Sequence, residues 1–141
     1  MRWETIVVGY EDTDDSRRAL GRAIVLAKSM DARLVVSSVS RVLPSGAAAH
    51  GVGPYDPADP PLEHREALER IREAVAGENV EVEFDLELGD PADALVALAD
   101  RRNAHLIVVG TREPGFIDRL LNGSVSQSVA RHAHCDVLIV H

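Results

Sequence analysis

Leu106-Ile107-Val108-Val109-Gly110, followed after a loop by Gly123-Ser124-Val125-Ser126-Gln127, is the stretch that decides how this chain is built. Four consecutive apolar residues ended by glycine read as a strand buried on both faces, as in a parallel sheet. Ser124 and Gln127 have the S-x-x-Q spacing of a capping box, so a helix begins behind Ser124. A buried strand running through a loop into a helix is the repeating unit of α/β folds.

The same grammar extends outward. Ile6-Val7-Val8-Gly9 is a second apolar run ended by glycine, and the cluster Glu11 to Ser16 can cap a helix through Thr13 or Asp14. Ala19, Leu20, Ala23, Ile24, Leu26, Ala27 and Met30 then recur at helical spacing, and Leu34 to Val39 reads as a strand. Residues 41 to 61, rich in Pro and Gly around Ala47-Ala48-Ala49, have no period and read as a long mobile loop. A helix is expected from about Leu62 to Ala76, with Leu68, Ile71, Ala74 and Val75 on its apolar face.

Val80, Val82, Phe84, Leu86 and Leu88 alternate with Glu81, Glu83, Asp85 and Glu87. Period two means one buried and one wet face, which places this strand at a sheet edge, where carboxylates discourage further pairing. Asp90-Pro91 supplies an N-cap and a proline at the first helical position, and Leu95, Leu98 and Ala99 continue that helix. Val137 to Val140 closes the chain as a last strand. Five strands joined through helices cross over right-handedly and lie parallel, giving one doubly wound α/β domain over residues 1–141. Such sheets hold ligands outside the carboxyl ends of their strands, where the strand order reverses.

Composition removes several function classes. The formal charge of −8 argues against a nucleic-acid partner and against an anionic membrane surface, since both need clustered Lys and Arg. Hydrophobic residues make up 45% of the chain but aromatics only 4%, so Val, Leu, Ile and Ala must fill the core. Cys135 is the single cysteine and cannot close an internal disulfide, which fits a reducing compartment. With no signal-like segment after Met1 and no apolar run long enough to span a bilayer, a cytoplasmic location is expected.

The chemistry concentrates in the 110 to 127 loop. The first amides of a helix lack internal partners and carry positive partial charge, which makes an anion site, and Gly110 and Gly123 would let backbone approach a phosphate. Elsewhere no nucleophile, base and orienting group come together. His132 and His134 have no third ligand beside them, Cys135 reads as a small buried residue, and no metal site is expected. Glu11, Asp12, Asp14 and Asp15 read as charge complementing a helix dipole. Ser37 and Ser38 read as loop and packing residues at a strand end, Trp3 and Tyr55 as packing anchors, and His50 as part of the mobile loop.

On these residues the chain resembles the universal stress protein family. That family carries glycine, two residues, glycine, nine residues, glycine and Ser or Thr after its fourth strand. Gly110, Gly123 and Ser124 stand at the first, third and fourth of those positions. The run from Ser124 through Val140 is similar to the family's closing helix and strand, as are Ile6 to Gly9, Ser16 to Leu20 and Gly89-Asp90-Pro91 to other family segments. The resemblance covers nearly the whole chain outside residues 41 to 61. It implies a Rossmann-like sheet in the order 3-2-1-4-5, commonly a homodimer, pairing either through its last strands or through helices, and an adenine nucleotide as ligand. Carried over position by position, it implies that Glu11 lies near the ribose, that Tyr10 belongs to the ligand site and that Val39 offers backbone groups to adenine. Val109 would flank the base and Arg112 reach a phosphate. Amides of Gly110, Gly123, Ser124 and Val125, with the Ser124 and Ser126 hydroxyls, would hold the phosphates. The ligand would be ATP or AMP, with Mg²⁺ accompanying only a triphosphate. No general base is in view, so the expected protein is a binding module in stress response and at most a slow ATPase.

Three positions depart from the pattern. Glu113 replaces the second glycine, Glu11 stands where Asp is usual, and Asp12 where Gly is frequent. Two like charges about 5 Å apart repel by roughly 3 kcal/mol at an effective dielectric of 20, so Glu113 would favour AMP over ATP. Pro114 stiffens the loop, and Gly115 offers a displaced source of freedom. The alternative is a nucleotide-free dimeric interaction protein whose crevice these carboxylates disable. A flavoprotein on a similar fold is a third reading, disfavoured by the lack of stacking aromatics near the loops.

Overall fold

A computed structural model describes residues 2–11, 13–40, 62–111 and 125–141. In chain order its elements are β1 (Thr5–Gly9), α1 (Asp14–Met30), β2 (Arg33–Ser40), α2 (Leu62–Val75), β3 (Val82–Leu88), α3 (Pro91–Arg101), β4 (Leu106–Gly110), α4 (Val125–His132) and β5 (Asp136–Val140). The strands form one parallel sheet in the order β3-β2-β1-β4-β5. This is the doubly wound, Rossmann-like arrangement expected.

The apolar runs divide their side chains between two layers, as period two requires. Ile6, Val8, Leu34, Val36, Leu106 and Val108 point to the layer filled by α1 and α2. Val7, Val35, Ile107 and Val109 point to the opposite layer, under α3 and α4. Burying each such side chain stabilises the fold by about 1.5–3 kcal/mol, and β1 and β4 contribute on both faces.

Local signals set the helix ends. Thr13 is the N-cap of α1, its side chain accepting from the Ser16 amide, and Asp31 ends that helix in a left-handed conformation at φ 53°. Asp90 caps α3 by accepting from the Asp93 amide, with Pro91 at the first helical position. On α2 the buried positions are Ala67 and Ile71, with Leu68 and Val75 partly covered. Ala74, expected on that apolar face, is exposed. The stripe keeps Leu68, Ile71 and Val75 and takes in Ala67 where Ala74 was expected.

Two further expectations are refined. β2 continues to Ser40, one residue past the expected end, and Ser37 and Ser38 are buried within it, packing residues as expected and not loop residues. β3 is an edge strand as its alternation predicts, but its acidic face is not simply wet. Arg101 pairs with Glu87 and Arg102 with Glu83, so the end of α3 roofs that face, while Arg33 Nε reaches Glu81 at 2.9 Å. Trp3 is an anchor, partly buried against the α1–α2 layer and donating through Nε1 to Asp136 Oδ2 at 3.1 Å. The expected loop over 41 to 61, with His50 and Tyr55, lies outside the described residues.

Candidate functional site

The sheet opens where its order reverses. β1 and β4 pair from Ile6–Leu106 through Val8–Val108. Beyond that, β1 stays with β2: Gly9 registers with Ser37, and the Tyr10 amide donates to the Ser37 carbonyl at 2.8 Å. β4 stays with β5 instead, Gly110 registering with Val140 and the Thr111 amide donating to the Val140 carbonyl at 2.8 Å. The two central strands therefore part, and a crevice begins between Gly9–Glu11 and Val109–Thr111. A parallel sheet offers its ligand site at such a switch point.

The expected site residues distribute unevenly around this opening. Tyr10 buries its ring in the α1–α2 layer at 2% exposure. Glu11 is exposed, and its amide donates to Ser16 Oγ at 3.0 Å. Val39 is half-buried near the end of β2, in register with Glu87. The Val109 side chain is buried in the α3–α4 layer, so toward the crevice this residue presents backbone. Val125 is half-buried and Ser126 buried in the first turn of α4. Arg112, Gly123 and Ser124 lie outside the described residues, as do Asp12, Glu113, Pro114 and Gly115. α4 is described from Val125 onward, so the cap expected at Ser124 lies outside the described residues as well.

The helix ends near the strand termini differ in charge. α1 carries Asp14 and Asp15 in its first turn, paired with Arg17 and Arg18, and α3 carries Asp93 behind its Asp90 cap. The Arg17 hydrogen bond and charge hold the Asp14 carboxyl below the usual range. The first turn of α4 has no acidic residue, and Arg131 and His132 stand in its last turn. Its amino end is therefore the one whose positive partial charge is not offset by its own first-turn carboxylates.

Gly110 is glycine for want of space. A Cβ there would lie 2.6 Å from the Asp15 carbonyl oxygen and 2.7 Å from its carbon, so the side of Gly110 given above to a phosphate is occupied by α1. Sequence reasoning gave Ser16 no role at this end of the sheet. It is buried, accepts from the Glu11 amide, and shares a hydrogen bond of 3.1 Å with Thr13 Oγ1. The spacing Thr13-x-x-Ser16, an N-cap followed three residues on by a second hydroxyl, is the signal that points to it.

The remaining chemical candidates have local partners. His132 Nδ1 donates to the Ser128 carbonyl at 2.9 Å, and His134 Nδ1 lies 3.2 Å from both carboxylate oxygens of Asp100. Burial pushes the Cys135 thiol up from its ordinary value, with Asp136 and Asp100 adding to the effect. Among the described residues no group of three or more His, Cys, Asp or Glu is arranged to hold a metal ion, and no helix is long and apolar enough to cross a membrane.

A doubly wound parallel sheet that parts at its switch point defines a Rossmann-like α/β protein. Residues 2–141 match the universal stress protein family, and the chain belongs to that family. It is 32% identical to a universal stress protein of Methanocaldococcus jannaschii, over 98% of this chain and 82% of the relative. A solved universal stress protein in complex with cAMP is 35% identical, with a TM-score of 0.71 over 100% of this chain and 98% of that one. The universal stress protein from Archaeoglobus fulgidus in complex with dAMP is 25% identical, with a TM-score of 0.71 over 100% of both chains.

Proposed function

We propose that the crevice between the carboxyl ends of β1 and β4 binds an adenine nucleotide, and that the protein is a nucleotide-responsive binding module of the stress response. The parting of β1 from β4 after Val8 and Val108 is the observation that carries this reading. It opens the sheet at the place where parallel α/β folds receive ligands. The base and ribose belong beside Glu11 and the backbone of Val39 and Val109. The phosphate belongs at the amino end of α4, near Val125 and Ser126, where no first-turn carboxylate opposes it. Gly123, Ser124 and Arg112 complete the proposed cradle.

Relatives solved with cAMP and with dAMP support a ligand carrying a single phosphate. Glu113 adds a reason to prefer AMP over ATP, because each further phosphate charge meets a carboxylate. Mg²⁺ would enter only with a triphosphate. With no positioned general base, binding is the activity and hydrolysis at most slow. The working unit is a cytoplasmic homodimer formed along β5, where Val137, Leu138 and Ile139 are only partly covered.

The test is direct. Protein purified without added ligand is denatured, and the extract is examined for absorbance near 260 nm and for a nucleotide mass. A thermal-shift panel of ATP, ADP, AMP and cyclic AMP follows. A ligand at ~100 times its Kd stabilises by about 2.7 kcal/mol, which for a domain of this size raises Tm by roughly 8 °C. AMP should give the larger shift. Tight ATP binding with no response to AMP overturns the preference, and no shift with any of the four overturns the nucleotide reading.

A further inference from the structure

We infer that Gly110 is a positioning residue: its missing side chain seats the first turn of α1 on the end of β4, and through Ser16 that seat fixes Glu11 at the rim of the crevice. The inference rests on the nucleotide reading for its consequence, though not for its geometry.

Three reasons could require glycine here. The first is a left-handed backbone; the described glycines with positive φ are Gly77 and Gly89, and Gly110 is not among them. The second is close approach of a phosphate. The third is packing. A Cβ at Gly110 would stand 2.6 Å from Asp15 O, 2.7 Å from Asp15 C and 3.0 Å from Asp15 Cβ. Contacts that short with backbone atoms cannot be relieved by a rotamer change, so either the strand end or the helix end must move. The strand end is held on its far side by the Gly110–Val140 register and by the Thr111 amide on the Val140 carbonyl. The first turn of α1 is the part that yields.

What moves with that turn gives the contact its consequence. Asp15 precedes Ser16, whose buried hydroxyl accepts from the Glu11 amide at 3.0 Å. The Ser16 amide is in turn held by Thr13 Oγ1 at 3.2 Å. Gly110, Asp15, Ser16 and Glu11 thus form a rigid path from one wall of the crevice to the other. Gly21, further along α1 and away from the crevice, is the control. A Cβ there meets nothing within 4 Å.

Gly110→Ala, Ser16→Ala and Gly21→Ala are compared with the wild type by calorimetric titration with adenosine and with AMP, and by hydrogen exchange of the Glu11 amide. If Gly110 seats α1, Gly110→Ala weakens adenosine and AMP by the same factor, about tenfold, because the displaced wall serves the nucleoside. Ser16→Ala does likewise, and Gly21→Ala leaves both affinities within about twofold. Adenosine binding unchanged while AMP binding falls assigns Gly110 to the phosphate and overturns the inference. Should Gly110→Ala fail to fold, Ser16→Ala decides by the same ratio. Should the wild type bind neither ligand, the nucleotide reading fails by itself, and exchange still decides the seat. Faster Glu11 exchange in Gly110→Ala, by at least roughly tenfold, with Gly21→Ala unchanged, upholds it; equal rates in both overturn it.

Discussion

The two edges of the sheet are finished in opposite ways. β3 presents Glu83, Asp85 and Glu87 on one face, and the end of α3 answers two of them with Arg101 and Arg102. β5 presents Val137, Leu138 and Ile139, all partly uncovered, with Asp136 tied by Trp3 at its start. An edge strand exposes unpaired backbone groups, and charge along it repels a second strand, whereas an apolar edge admits one. One edge is therefore closed by ionic chemistry, and the other is the edge on which the proposed homodimer rests.

The largest expected effect lies at β5. Ile139→Lys should convert the proposed dimer to a monomer, weakening association by at least about 100-fold, since it would leave an unpaired cation in the proposed seam. Sedimentation of both proteins reads this directly. A wild type that sediments as one chain, or a variant that still sediments as two, breaks the contrast between the edges.

At β3 the effect is on stability. Arg102→Ala leaves Glu83 beside Asp85 without its cation and should cost about 1 kcal/mol, seen as a Tm lower by roughly 3 °C. Association should not change. If Tm does not move, the arginines are ornaments of a solvated face and β3 is guarded by its carboxylates alone.

The smallest effect sharpens the same point through pH. Asp85 sits between the two paired carboxylates; Ser37 Oγ is 3.5 Å away and Glu87 shares a hydrogen bond with it. Burial, then the charge of Glu87, pushes its carboxyl from 3.8 up to about 6. A raised carboxyl pKa means the folded chain holds the proton more tightly than the unfolded one. Its stabilising contribution is complete below 3.8 and is lost as pH rises through about 6. Asp85→Asn should therefore flatten the Tm profile between pH 4 and pH 6.5 and raise Tm at pH 7 by about 2 °C, after discounting for its solvent-exposed half. An unaltered profile would show that Asp85 is solvated well enough to ionise normally.

Much of this could be read along the chain. Thr13, Asp90 and Pro91 announced their helices because capping is chemistry between residues three apart. The edge position of β3 followed from its alternation, since only one face of an edge strand needs to be apolar. Ala74 misled because alanine tolerates either side of a helix, and spacing alone does not choose which alanines face inward. The site was less legible. Glu11, Gly110 and Ser126 could be singled out through family resemblance, but nothing near Gly110 in sequence says what fills the space beside it. The paired arginines over β3 were hidden for the same reason, as Glu83 and Arg102 are neighbours only once α3 has folded back.

The order of residues alone determined four apolar strands, an alternating acidic one at the edge and the capped starts of α1 and α3, because each depends on contacts within a few residues or on period. Tertiary structure decided where β1 leaves β4, which helix end lacks a carboxylate beside the crevice, and why position 110 has no side chain. Those depend on which distant backbones share one volume, and excluded volume is a property of the folded chain.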